Sequence, residues 1–459
     1  MSADGQHVEV AVIGAGSVGL AVAHYLVRNH GVSRIAIVDP RDPMSLTSAQ
    51  SGENYRNWWP HPTMTAYTND SIRLMEQIAR ETDNRISMTR RGYALLTRRS
   101  DPDDLIEDLY RGYAGQAEDL IRIHEGNGAH SAYKPALSAN WEDAADGVDV
   151  LRDRSFIRQT FPAYAHDVAT VLHIRRAGSI SGQQLGQYML ETIKSAGGRL
   201  IRGEVVGIDG PAPFVLSVAT KGEVVRLRAE RIVNAAGPFV QNVAALLGED
   251  LPVSSVYQQK IAFEDHEGAV PRNLPFSIDL DGQTLNWTEE EKAILADDPA
   301  TVHLTKFIGG GIHCRPDGAE AGKWIKLGWA FNERASDPNE PEPTDEHFPD
   351  IVLRAASRLQ PALGAYVGRL PRGAHHYGGY YTMAKENWPL IGPMTTPGAF
   401  VAGALSGFGT MAACATGLIC AAWVMGTELP PYARMLSLDR YSDPAIMADL
   451  ATLQSRGML

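Results

Sequence analysis

The sequence predicts an α/β fold that opens on a nucleotide-binding βαβ unit and continues into a strand-rich second region. Three observations predict it. Residues 8–39 read in order as strand, GxGxxG, helix, strand and acid. Short apolar runs crowd 199–236 and end in Asn234-Ala235-Ala236-Gly237-Pro238. Residues 256–385 are mainly strand-like, and an apolar strand–glycine–helix pattern follows at 399–425.

The run VEVAVI at 8–13 is continuously apolar, as in a buried parallel strand. Gly14-Ala15-Gly16-Ser17-Val18-Gly19 follows at once. Gly14 permits the tight turn, Gly16 lets backbone approach a pyrophosphate, and Gly19 lets helix and strand pack closely. Leu20, Ala23, His24 and Val27 give helical spacing up to about His30-Gly31. The N-terminus of such a helix offers open N–H groups and a positive dipole end to phosphates. A strand at 34–38 then delivers Asp39, which can accept hydrogen bonds from both ribose hydroxyls. The motif alone does not separate FAD from NAD. An acid at position 39 would repel a 2′-phosphate and so disfavours NADP.

Further along, Ile72, Met75, Ile78 and Ala79 predict a helix over 64–80, and 93–97 reads as a strand. Residues 101–123 are expected to be helical, and 124–150 polar and irregular. Ser181 caps a helix ending near 196 at Gly197-Gly198. Strands are expected at 199–208, 214–220, 224–230 and 231–236, then a helix at 239–247. Within the strand-rich region, helices are expected near 288–296 and 345–359, and PNEPEP at 338–343 reads as a solvated loop.

Composition narrows the function classes. Hydrophobic residues at 44% supply a sizeable core, and a net charge of −12 argues against a nucleic-acid partner. Cys314, Cys414 and Cys420 form no CxxC pair, which fits a reducing, cytoplasmic compartment rather than a disulfide or zinc scaffold. The polar first nine residues show no secretory pattern. Residues 387–427 carry only uncharged side chains and Gly403 and Gly407 have GxxxG spacing, so a membrane helix at 398–426 competes with a buried reading. The small-residue composition and Pro389, Pro393 and Pro397 favour the buried one: a core strand at 399–403, a glycine turn at 406–409 and a core helix at 411–425.

The order of these motifs resembles the D-amino-acid oxidase superfamily, in the branch of sarcosine oxidase, glycine oxidase and dimethylglycine dehydrogenase, over nearly the whole chain. The resemblance implies FAD, held in a Rossmann-like domain of GR2 type, and a substrate domain on a mixed β-sheet. On that basis 1–60, 150–250 and 385–440 form the FAD domain, 61–149 and 251–384 the substrate domain, and 441–459 a C-terminal tail. Gly14, Gly16, Ser17, Val18, Gly19, Asp39, Pro40 and Arg41 would hold the nucleotide. Ser48, Ser51 and Gly52 match the loop against the flavin ring, and Val205 a position whose backbone reads adenine. Ala236 and Gly237 match the strand end near the ADP moiety. Gly403, Gly407, Phe408, Gly409, Thr410 and Met411 belong to a second turn facing the flavin pyrimidine. Lys326, in a strand matching that of sarcosine oxidases, is implied to sit above the flavin and help dioxygen accept an electron. Arg56 is a candidate partner for a substrate carboxylate.

Three departures bear on substrate and attachment. The segment Gly378-Gly379-Tyr380-Tyr381-Thr382 lacks the cysteine, and Gln50 and Ser51 replace the histidine, through which relatives attach FAD covalently. Non-covalent FAD is therefore expected. Met411 stands where sarcosine oxidases have a carboxylate-binding lysine, which weakens the case for sarcosine itself.

The implied chemistry is oxidation of a C–N bond in a primary or secondary amine, an amino acid or N-alkyl amino acid. Hydride passes to flavin N5, the imine is hydrolysed, and O2 reoxidises the flavin to give H2O2. Such a site needs aromatic walls and few titrating groups. Tyr55, Trp59, Tyr257, His376 and Tyr381 are the candidate substrate contacts, from a set that also holds Trp58, His61, His375, Tyr377 and Tyr380. Adjacent histidines on a strand face opposite ways, so His375-His376 does not suggest a metal, and none is expected. The alternatives are a dehydrogenase of an amine or 2-hydroxy acid passing electrons to a quinone or flavoprotein, and a non-catalytic FAD-binding subunit.

Overall fold

The computed structural model describes residues 7–125, 133–136, 141–318 and 321–452. Parts of the expected irregular stretch (126–132 and 137–140) and of the expected tail (453–459) lie outside them. Two large sheets dominate. In the first, of eight strands, His7–Ile13 is central and pairs in parallel with Ile35–Asp39 on one side and Val224–Asn234 on the other. Arg199–Arg202 extends the edge beyond Ile35–Asp39. Val224–Asn234 passes between partners along its length: Phe214–Ala219 pairs with its start, and Ala399–Gly403 runs parallel to its end. The amino-terminal motif and the end of the carboxy-terminal strand thus lie at the same, carboxyl end of the parallel strands.

The helix Ser17–His30 is buried almost throughout from Ser17 to Val27; Arg28 and Asn29 are exposed at its far end, and it stops at Gly31 in the left-handed conformation (φ 66°). Against it lies Gly409–Met425, the apolar helix that the hydropathy singled out. Gly417 makes the close crossing possible: a Cβ there would sit 2.5 Å from the Ala21 carbonyl carbon. Pro62–Glu81 covers another side, with Ser71 donating to the Met411 carbonyl at 2.5 Å. Thus the buried reading of 399–425 holds, and no helix among the described residues is long and apolar enough to cross a membrane.

The second sheet has nine strands in mixed orientation. Its order runs His375–Ala384, Val253–Glu264, Trp324–Gly328, Ile312–Asp317, Phe276–Asp279, Tyr93–Thr97, Thr170–Ile174, Val148–Leu151, Ile121–His124. One face packs Ile261, Phe263, Ile325 and Leu327 under the helix Phe348–Leu359. The α/β class and the mixed second sheet are both present.

Several local expectations change. The helix expected over 101–123 is present but broken: Asp103–Tyr113 ends where Ala114 takes a positive φ (48°), a single tight turn Ala114–Gln116 and the short helix Ala117–Leu120 follow, and only Ile121–His124 is a strand instead. Ile121 is buried and Ile123 exposed although a strand puts them on one face, so no two-residue alternation stood against the helical spacing. The run 199–208 is two strands separated at Gly203, whose Cβ would lie 2.6 Å from Val218 Cγ1. The two strands expected at 224–236 are one, Val224–Asn234. By sheet membership, Val148–Leu151 and Thr170–Ile174 join the second sheet although 150–250 was expected to serve the first. The expected tail carries the helix Pro444–Ala451, tied back by an Asp449–His61 contact of 3.0 Å.

The crossing at Gly417 gives a stability test. Gly417→Val should lower stability by about 3 kcal/mol, since backbone atoms of Ala21 cannot retract. Urea unfolding midpoints measure the loss, and adding Ala21→Gly should restore part of it.

Candidate active site

The first part of the site is a cavity of about 1000 Å³ at the carboxyl ends of the central strands, at the upper end of the range for small-molecule pockets. Gly14, Gly16, Asp39, Pro40, Arg41, Ser48, Val205, Ala236 and Gly237 all line it. Gly14 has φ 111°, and a Cβ there would lie 2.3 Å from the Ala235 carbonyl oxygen. A Cβ at Gly19 would strike the Gly14 carbonyl oxygen at 2.0 Å, whereas one at Gly16 would meet only the Ser48 hydroxyl, at 3.1 Å. Gly14 and Gly19 therefore serve packing, and Gly16 opens on the cavity.

Ser17, Val18 and Gly19 form the first turn of the helix, which has no side-chain cap and no acid. The Ser17 amide donates to Ser48 Oγ at 3.0 Å. Asp39 accepts from the amides of Ala15 (2.7 Å) and Arg41 (2.8 Å), so its carboxylate is aimed before any ligand arrives. Its remaining lone pairs are free to accept hydroxyls. Arg41 lies over the Phe239 ring at 4.9 Å. Pro338 and Asn339 also line the cavity, with Asn339 accepting from Asn242 at 2.9 Å. The loop expected to be merely solvated thus forms part of the rim. A polar proline-rich stretch carries no periodicity that could have placed it there.

The second part begins with the loop 47–53. The buried Thr47 hydroxyl, which borders the cavity residues, has no hydrogen-bond partner among the described residues. Ser51 Oγ accepts from Thr410 Oγ1 at 2.8 Å and from the Glu53 amide at 2.9 Å. Thr410 lies in the first turn of Gly409–Met425, so this bond joins the two motifs of the sequence. Gly403 ends the preceding strand, and Ala404 (φ 56°) and Ser406 (φ 45°) are left-handed in the turn between. A Cβ at Gly407 would lie 2.5 Å from the Tyr381 ring, and Phe408 meets Trp59 edge-on at 5.0 Å.

The third part is the open face of the second sheet. Cross-strand register puts Lys260, Gly328, His313 and Tyr377 on one face, together with Lys326, Arg315 and Tyr381. This face meets the loop: a Cβ at Gly379 would lie 3.3 Å from Gln50 Cβ and 3.6 Å from Thr47 Cγ2. Arg56 is 1% exposed, stacked over Trp59 at 4.4 Å and near Tyr93 at 5.7 Å; burial lowers its pKa to about 10.

Three expected substrate contacts point elsewhere. Tyr257 and His376 lie on the opposite face of the sheet, as the two-residue period dictates. Tyr257 donates to Glu342 at 2.9 Å, and His376 stacks on Phe348 of the covering helix, centroids 5.7 Å apart. Tyr55 is fully buried and donates to the Thr89 carbonyl at 2.5 Å, on the other side of its strand from Arg56. Tyr381 and Trp59 stay with the loop and the turn.

Lys326 is placed differently from a free cation. Its Nζ lies 2.9 Å from Glu53 Oε2 and 3.3 Å from Asp317 Oδ2. Arg315 pairs with the same Asp317 at 2.7 Å and donates to the Gly52 carbonyl at 2.8 Å. Burial works to raise the Asp317 carboxyl, but Arg315 and Lys326 together hold it below its ordinary value. Glu53 Oε1 also accepts from the Gly182 amide, at the start of Gly182–Ser195. Sequence spacing gave no sign of this cluster, since Glu53 and Lys326 are 273 residues apart.

The nucleotide cradle, the acid-free start of Ser17–His30 and the orphaned Thr47 hydroxyl fit FAD, whose diphosphate and ring would occupy the first and second parts. Asp39→Asn should weaken FAD binding about 10- to 100-fold, read by equilibrium dialysis; an unchanged affinity would remove Asp39 from the ribose contact.

Comparisons with known proteins agree. A search of curated proteins found no match. Among solved structures, the chain resembles glycine oxidase from Geobacillus kaustophilus, with a TM-score of 0.66 and 18% identity over 95% of this chain and 99% of that one. It resembles L-proline dehydrogenase from P. horikoshii with a TM-score of 0.67 and 15% identity, covering 95% and 98%. It also resembles L-α-glycerophosphate oxidase from Mycoplasma pneumoniae with FAD bound, at TM-score 0.66 and 15% identity, covering 94% and 98%. A family model described as FAD dependent oxidoreductase matches residues 9–423, and the chain belongs to that family.

Proposed function

We propose that the protein oxidises a C–N bond of an amino acid or N-alkyl amino acid, using non-covalently bound FAD, with O2 as electron acceptor and H2O2 as product. The observation that carries this reading is the convergence of the loop 47–53, the turn 405–409 and an aromatic sheet face holding Tyr377 and Tyr381. The amino-acid substrates in the names of the glycine oxidase and proline dehydrogenase relatives support it. When bound, FAD supplies the two-electron sink that the side chains lack. Gly14, Gly16, Asp39 and Val205 would hold its ADP half, and Ser51, Gly52, Gly407 and Thr410 its ring end. The uncapped N-terminus of Gly409–Met425 favours negative charge in that region.

The remaining work falls to positioning and exclusion of water. Trp59, Phe408 and Tyr381 wall the substrate space, and Arg56 stays fixed by stacking on Trp59. Lys326 stands at the junction of loop and sheet, its charge tempered by two carboxylate partners. That tempering favours a second reading in which a quinone or flavoprotein takes the electrons.

Anaerobic mixing tests the substrate class. Amino acids or N-methyl amino acids should bleach the flavin band; bleaching by 2-hydroxy acids alone would contradict the proposal. In air, peroxide should accumulate, and turnover with an artificial dye but not with O2 would select the second reading. Acid precipitation should leave the flavin in the supernatant.

A further inference from the structure

We propose that Lys260 is the residue that selects substrates bearing a carboxylate, by pairing with that group on the open face of the second sheet. This rests on the reading of the chain as an amine-oxidising flavoprotein and adds the substrate's anionic anchor to it.

Lys260 lies on Val253–Glu264, in register with Gly328 on one neighbouring strand and Tyr377 on the other. Paired residues share a face, so Lys260 projects on the side that meets the loop 47–53. It is 6% exposed, yet no carboxylate among the described residues lies within 4.0 Å of it, and its Nζ rests 5.2 Å from the Tyr381 ring centroid. The two other cations of this face, Arg315 and Lys326, are matched by Asp317 and Glu53. Lys260 is the surplus charge beside that cluster. His313 does not add to it, because burial, with Lys260 and Arg315 nearby, lowers its pKa to about 4.

The surroundings are shaped for the lysine. A Cβ at Gly328 would lie 2.5 Å from His313 Nε2 and 3.1 Å from Lys260 Cγ, so the glycine leaves room for both side chains that flank it. A buried ammonium is costly without a counter-ion, and an aromatic ring offsets only part of that cost. Tyr381 also abuts the Gly407 turn, which puts the ammonium one ring away from the proposed flavin end. A small amine whose carboxylate reached Lys260 would complete the charge balance that the chain leaves open. An amine without a carboxylate would leave it unbalanced.

The test uses the FAD-loaded protein and two non-reacting probes, benzoate and benzamide, titrated by their perturbation of the flavin absorption band. Wild type should bind benzoate more tightly than benzamide. Lys260→Met should raise the benzoate Kd about 30-fold and leave the benzamide Kd unchanged, while Lys260→Arg retains the preference. Should Lys260→Met be insoluble, Lys260→Gln keeps the length and drops the charge, with the same expected loss. No benzoate preference in wild type, or unchanged benzoate binding in both neutral variants, overturns the proposal; so does equal loss for the two probes. A flavin that no amine bleaches, with the benzoate preference intact and Lys260-dependent, would instead sink amine oxidation and leave Lys260 as an anion-selecting residue.

Discussion

The loop 47–53 is the point on which the rest of the structure depends, because four parts of the chain bind it at once. Ser48 is tied to the amino-terminal helix through the Ser17 amide, and Ser51 to the carboxy-terminal helix through Thr410. Glu53 reaches the start of Gly182–Ser195 with one oxygen and Lys326 of the second sheet with the other. Arg315 donates to the Gly52 carbonyl from the same sheet. Glu53 itself is left-handed (φ 57°), a conformation that a non-glycine residue keeps only where its contacts outweigh the strain. The loop therefore fixes where the nucleotide cradle ends and where the sheet face begins.

This convergence explains the division of charge. A half-buried ion pair contributes little net stability, but removing one partner leaves a costly charge behind. The alternating set of Glu53, Lys326, Asp317 and Arg315 is thus better read as a device that sets loop against sheet than as a source of stability. It also separates two lysines that share one face of the second sheet. Lys326 is engaged in registration, whereas Lys260, on the adjacent strand, keeps its charge for something outside the chain.

The parts legible in the sequence are those governed by local rules. The glycines at 14 and 19 follow from how closely backbone must approach backbone, Gly16 from the open cavity it faces, and the strand, turn and helix at 399–425 from composition. What was misplaced depended on tertiary pairing. Tyr257 and His376 needed only the strand period and a known partner to be assigned to the far face, but the face that meets the loop 47–53 is set by packing under Phe348–Leu359. Pro338 and Asn339 came to the cavity rim through Asn242, a contact across 97 residues. The break at Ala114 had no proline to announce it.

Titration of flavin-free protein with FAD, followed by flavin fluorescence, tests the central claim most directly. The proposed seat predicts one equivalent bound with its emission quenched, since Trp59 and Tyr381 lie at the ring end. Folded protein that admits ADP to the cradle but leaves the emission of added FAD unchanged would contradict it.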